Sequence, residues 1–141
     1  NRGILSLQPS RNGDKWAVKK EWHQEKLALD MSTAVINGDL LYGFSHYDSG
    51  RLFCLDPQSG EILWQGPPRT GRNVMFLSIP GYIVALIDSG ELQIVAASGS
   101  GYKKIASYRV AESGTWAPPV LLKQGVLVKD IKTLTLWSLS K

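Results

Sequence analysis

One turn signal recurs at nearly constant spacing, and no other feature limits the possible folds of this chain as much. Asn37-Gly38, Pro80-Gly81 and Gln124-Gly125 each separate two short apolar runs, and their glycines lie 43 and then 44 residues apart. The flanking runs are Ala34-Val35-Ile36 and Leu40-Leu41-Tyr42, then Phe76–Ile79 and Tyr82–Ile87, then Val120-Leu121-Leu122 and Val126-Leu127-Val128. A second mark repeats as Asp48-Ser49-Gly50 and Asp88-Ser89-Gly90. A third repeats as Gln58-Ser59-Gly60 and Ser98-Gly99-Ser100-Gly101. Three marks in one order, twice over, define a repeat, and self-similarity at a fixed period is the signature of stacked or radially arranged units.

Between the marks the chain reads as four strands per unit. The first full unit places them at 31–36, 39–45, 51–56 and 61–65, and the second at 74–79, 82–87, 91–97 and 103–110. The N-terminal part reads as the last two strands of a unit, 3–8 and 15–22, joined by a turn over Ser10–Asp14. The C-terminal part supplies three strands, 117–123, 125–130 and 133–139. Only Trp22–Leu29 could make a turn or two of helix. Four antiparallel strands in about 40–45 residues is the spacing of a β-propeller blade. The sequence therefore predicts an all-β partial β-propeller: a half blade at 1–22, blades at 28–65 and 72–110, and an incomplete blade at 115–139.

The tryptophans fit this scheme. Trp64 ends the fourth strand of its unit, and Trp22 stands 42 residues earlier in the matching place. Both read as wedges between blades. Pro57, Ser59 and Gly60 in "CLDPQSGEILW" supply the fixed φ, the capping hydroxyl and the positive φ of a hairpin turn.

Composition narrows the function classes. Sixteen basic and twelve acidic residues leave a net charge of +4, but Lys15, Lys19, Lys20 and Lys26 are interspersed with Glu21 and Glu25. That is a solvated surface, not the clustered charge of a nucleic-acid footprint, so no nucleic-acid partner is expected. The longest apolar run, Tyr82–Ile87, is too short to span a membrane. Cys54 is the single cysteine, which excludes an internal disulfide within these residues and the common cysteine zinc sites. Compartment is not readable from the chain itself.

At "GRLFCLDPQSGEILW" the unit resembles the repeat of the PQQ-like β-propeller family, whose blades read G-x-L-x-A-L-D-x-x-T-G-x-x-x-W. Gly50, Leu52, Leu55, Asp56, Gly60 and Trp64 fall on that pattern, with Ser59 for Thr and Cys54 for Ala. "DSGELQIV" follows it without the tryptophan, and the order of units is similar to the last blades of quinoprotein-like, BamB-like propellers. The resemblance implies an extracytoplasmic protein, periplasmic or secreted. It implies two kinds of activity: a non-catalytic binding or interaction scaffold, or the C-terminal part of a quinone-dependent dehydrogenase. The quinone enzymes use pyrroloquinoline quinone with calcium and often a vicinal cysteine pair, and this chain offers one cysteine. No cofactor is expected under the scaffold reading.

Individual motifs do not assemble a catalytic constellation. Gly43-Phe44-Ser45-His46-Tyr47 lacks the last glycine of a nucleophile elbow and leaves a strand for a hairpin. His23-Gln24-Glu25 has no further ligands at metal spacing, and Gly99-Ser100-Gly101 lacks the third glycine of a dinucleotide site. The binding surface is the better candidate. In a propeller the loops entering each blade and those joining its second and third strands share one rim, which here holds Arg69 and Arg72 together with His46 and Tyr47. Counting nine residues back from each turn glycine aligns Leu29, Arg72 and Trp116 near the axial channel. Arg72 and Trp116 there are candidate contacts for a protein, peptide or saccharide partner, or else ordinary rim residues. Closed propellers need about four to eight blades, and 141 residues at this period supply about three and a quarter. The chain is therefore expected to associate with further blades or with a second copy.

Overall fold

The structure is a computed structural model that describes residues 3–138. Asn1 and Arg2 of the expected half blade and Leu139 of the expected last strand lie outside the described residues. The described chain forms thirteen strands in four antiparallel sheets. The first sheet is the hairpin β1 (Ile4–Asn12) and β2 (Lys15–Gln24). The second is the meander β3 (Val35–Asn37), β4 (Leu40–Ser45), β5 (Arg51–Leu55) and β6 (Ile62–Gln65). The third is the meander β7 (Val74–Ile79), β8 (Tyr82–Ile87), β9 (Glu91–Ala96) and β10 (Lys104–Arg109). The fourth is β11 (Val120–Leu122), β12 (Gly125–Lys129) and β13 (Leu134–Ser138). This is an all-β, partial β-propeller.

Strand periodicity builds the stack. Successive side chains of a strand point to opposite faces, and both faces of the inner sheets are covered. On β5, Phe53 and Leu55 face the first sheet, where they cluster with Leu27, Trp22 and Ile4. Leu52 and Cys54 face the third sheet and cluster with Val74, Phe76, Ile83 and Ala85. On β8, Ile83, Ala85 and Ile87 serve that same interface, while Val84 and Leu86 join Leu92, Val110 and Val128 against the fourth sheet. One strand therefore supplies two cores, which is why its sequence is nearly continuous in apolar residues instead of alternating with polar ones.

The tryptophans at the ends of β2 and β6 repeat one contact. Trp22 donates its indole N–H to the Pro57 carbonyl at 2.9 Å, and Trp64 donates to the Ser98 carbonyl at 2.7 Å. Each acceptor lies in the hairpin between the third and fourth strands of the next sheet. The Trp64 ring packs between Tyr42 at 6.0 Å and Tyr102 at 5.6 Å. Gly60 serves twice: its φ of 75° closes the turn, and any side chain there would strike the Trp22 ring.

The three marker glycines do not occupy equivalent positions, although their hairpins do. The residues paired across the turns are Asn37 with Leu40, Ile79 with Tyr82, and Leu122 with Gly125. The turns themselves are Gly38-Asp39, Pro80-Gly81 and Lys123-Gln124. Gly38 and Gly81 take the left-handed φ their turns need, 59° and 79°. Gly125 is the first residue of β12 and is glycine for another reason. The Trp137 carbonyl oxygen approaches so closely that a Cβ would collide with it.

Other expectations differ. The first strands of the second and fourth sheets are shorter than 31–36 and 117–123, because only Val35–Asn37 find partners on β4 and only Val120–Leu122 on β12. The hairpin of the first sheet is longer than expected and turns over Gly13-Asp14 alone. The 22–29 stretch forms no helix: β2 continues to Gln24 and a turn follows. A single 3-10 turn at Tyr47–Ser49 is the one helical segment among the described residues.

Trp64→Ala should destabilise the chain by about 3–5 kcal/mol, the loss usual for a buried aromatic. Trp16, 68% exposed, should cost no more than about 0.5 kcal/mol on the same substitution, as an exposed side chain does. Urea denaturation of the two variants checks the contrast, and equal losses would remove the wedge role from Trp64.

Candidate functional site

Backbone strain marks one spot on the rim. Asp48, Ser49 and Arg69 are the three non-glycine residues with positive φ among the described residues, at 55°, 60° and 59°. They meet: the Arg69 amide donates to the Asp48 carbonyl at 3.1 Å, and the Thr70 amide donates to Gly50 at 2.9 Å. Arg51 ties the same loops together, donating from its guanidinium to the Gly66 carbonyl and pairing with Asp48 at 2.9 Å. Left-handed non-glycine residues cost of order 1–3 kcal/mol each and persist where surrounding contacts over-determine them. The two loops that sequence placed on one rim are therefore in contact. His46 and Tyr47 flank the strained turn, their rings edge to face at 4.9 Å. The Arg69 side chain is exposed and makes no ion pair among the described residues.

The next unit repeats this junction with a buried carboxylate. Gly50 and Gly90 share a φ of 91° and accept from Thr70 and Val110 respectively. Asp88, the counterpart of Asp48, accepts the amides of Arg72 at 2.9 Å and Asn73 at 3.4 Å, and the Arg72 guanidinium at 3.1 Å. Its backbone carbonyl receives the Thr115 amide. Asn73 extends the network to Ser32, whose hydroxyl donates to it at 2.5 Å and accepts from the Val74 amide at 3.0 Å. One polar chain thus runs from the strand-entry segment of the second sheet to that of the fourth.

Beside it lies a groove of about 320 Å³ lined by Met31, Thr33, Val35, Asn73, Met75 and Trp116. The hairpin pairs explain the convergence. Met31, Asn73 and Trp116 each lie six residues before the paired residue that opens its hairpin, Asn37, Ile79 and Leu122. The sequence register that set Arg72 beside Trp116 is off by one, because it counted from glycines that sit at different turn positions. Arg72 matches Thr115 instead, and its side chain leans out, 83% exposed, onto Asp88. Trp116, 48% exposed, is the sequence-predicted residue that lines the groove. Met31, Asn73 and Met75 were missed for want of a correct register.

Five titratable groups among the described residues are perturbed, including Tyr102, raised by burial, and Glu91, lowered by the Ser107 hydroxyl that donates to it. Burial pushes the Cys54 thiol up to about 11. Burial also raises the adjacent Tyr42 phenol, with the Cys54 thiol adding to the effect. Both lie in the apolar interface of the second and third sheets. Asp130, at the corresponding corner of the fourth sheet, is held below its ordinary value by the amides of Thr133 and Lys132. Among the described residues no three His, Cys, Asp or Glu side chains converge as metal ligands. No helix among the described residues is long and apolar enough to cross a membrane.

Comparison with known proteins speaks to the fold. BamB from Moraxella catarrhalis is similar in structure, with a TM-score of 0.54 at 16% identity over 89% of this chain and 46% of that one. This chain thus spans about half the length of that propeller. Two computationally designed proteins, Ika4 and Ika8, give TM-scores of 0.44 and 0.43 at 8% and 9% identity. They cover 81% and 96% of this chain, and 100% and 55% of their own. No family model and no curated protein matches the sequence.

Asp88→Ala should cost about 1–3 kcal/mol, because it leaves the Arg72 and Asn73 amides without an acceptor. Arg72→Ala removes an exposed guanidinium but leaves both amide bonds to the buried carboxylate in place, and should cost less, about 1 kcal/mol. Denaturation of the two variants distinguishes a structural carboxylate from a surface salt bridge, and equal losses would contradict it.

Proposed function

We propose that the chain is a non-catalytic propeller segment acting as an interaction scaffold in an extracytoplasmic setting. Its partner is an extended protein or peptide segment received at the rim that carries the groove and the strained turn. The observation behind this reading is the groove of about 320 Å³ at the strand entries, where half-exposed Trp116, exposed Met31 and part-buried Met75 lie beside a fixed polar network. Methionine adapts its shape to varied apolar side chains, and tryptophan is among the residues enriched as binding anchors. The unpaired Arg69 guanidinium adds a donor for a carboxylate. The fold-level likeness to a BamB propeller supports the scaffold reading as an analogy only.

Selection of peptides from a random library on the immobilised chain tests this directly. Selected peptides should lose at least about tenfold in affinity on Trp116→Ala, as for an anchor worth more than about 1.4 kcal/mol. The variant's unfolding midpoint should not change. Binding of saccharides from a glycan array in place of peptides would overturn the peptide assignment. An absorbance change on titration with pyrroloquinoline quinone and calcium would overturn the scaffold itself.

A further inference from the structure

The chain holds three sulfur side chains, Cys54, Met31 and Met75, and the fold treats each differently. Cys54 is sealed between the second and third sheets, its thiol fully buried and pushed up to about 11 by that burial. A neutral thiol without access to solvent is inert to oxidants. Both methionines lie in one place. They line the groove of about 320 Å³ at the strand entries, together with Trp116 and Asn73.

Met75 is protected there. It stands on β7, packed partly into the cluster between the third and fourth sheets. Its sulfur accepts the side-chain amide of Asn73 at 3.5 Å. That amide cannot turn away, because the Asn73 side-chain oxygen accepts the Ser32 hydroxyl and its backbone N–H donates to Asp88. A sulfur lone pair engaged by an N–H is a poorer nucleophile than a free one.

Met31 has neither kind of cover. Its neighbour Ser32 is bonded to Asn73 and to the Val74 amide, so Met31 is carried onto the entry of β7, at the edge of the groove. It is 60% exposed and belongs to none of the buried clusters among the described residues.

We propose that Met31 is a site of reversible oxidation that closes this groove to its partner, an inference that rests on the reading of the groove as a peptide site. The oxidant is a peroxide. The Met31 sulfur lone pair attacks one oxygen of hydrogen peroxide, and the O–O bond breaks. The departing hydroxide takes the proton from the transferred oxygen and leaves as water, and the thioether has become a sulfoxide. Sulfur gives up two electrons and the peroxide gains them. A dithiol returns the two electrons, yielding the thioether, a disulfide and water. The consequence is local: a flexible apolar side chain becomes a polar one. The methionine wall then no longer favours an apolar side chain laid against it, because the new oxygen would lose its water without gaining a donor.

Treatment of the whole chain with hydrogen peroxide, followed by peptide mass spectrometry, tests the site. Met31 should be converted to sulfoxide about tenfold faster than Met75, since susceptibility follows exposure. Peptides selected on the untreated chain should bind the oxidised chain about tenfold more weakly. Methionine sulfoxide reductase with a dithiol should restore their affinity. Met31→Leu, which keeps an apolar wall, should bind as the wild type does and be indifferent to peroxide, whereas Met75→Leu should remain sensitive. Equal oxidation rates for the two methionines would overturn the site. Undiminished binding by the oxidised chain, or a loss that persists in Met31→Leu, would overturn the gate and leave the peptide reading intact. A fall in the unfolding midpoint on oxidation would also contradict the gate, because the loss would then belong to the fold. If no peptide depends on Trp116, the peptide reading and the gate fail together, and the two oxidation rates still decide whether Met31 is the modified residue.

Discussion

The interface between neighbouring sheets is the constraint on which the rest depends. An isolated three- or four-stranded sheet buries one face at most, and here both faces of each inner sheet are apolar. Burial at about 25 cal/mol per Å² rewards such a chain when each inner sheet lies between two others. The strands oblige by alternation: Leu52 and Cys54 look one way and Phe53 and Leu55 the other. The indole bonds of Trp22 and Trp64 then fix how far along each sheet its neighbour sits. Sheet stacking, and not any local preference, decides where the loops meet.

The rim follows from that stacking. Because the second and third sheets are locked at Trp64, the loop that leaves β6 must cross the β4–β5 turn to enter β7. The crossing is held by Arg69 to Asp48 and Thr70 to Gly50. One unit later the same crossing is held by Val110 to Gly90 and Thr115 to Asp88. The groove at Met31, Asn73 and Trp116 is the space left between successive strand entries, so its position is set by the repeat and its lining by the side chains that the repeat leaves free.

Much of the fold was legible in the sequence because turn chemistry is local. Gly50 and Gly90, Gly38 and Gly81 announce their hairpins through positive φ, and β7 and β8 end where their apolar runs end. What misled was a glycine with a different cause. Gly125 looks like a turn residue in sequence, but it is required by the approach of the Trp137 carbonyl from β13, a contact between strands that no local pattern encodes. That one-residue error moved Arg72 into the place of Asn73 and hid the groove. The rim residues His46, Tyr47 and Arg69 were found from loop order alone, whereas the strain that joins their loops belongs to the tertiary structure.

Cross-sheet indole bonds hold the stack in register, and the five tryptophans make those bonds readable in one experiment. Hydrogen exchange of the five indole N–H groups, followed by nitrogen–proton correlation spectra of the assigned chain, separates those bonded across sheets from those in water. The Trp22 and Trp64 signals should persist long after those of Trp16 and Trp116 have vanished. If the Trp22 or Trp64 indole proton exchanged as fast as that of Trp16, the sheets would not be stacked as described.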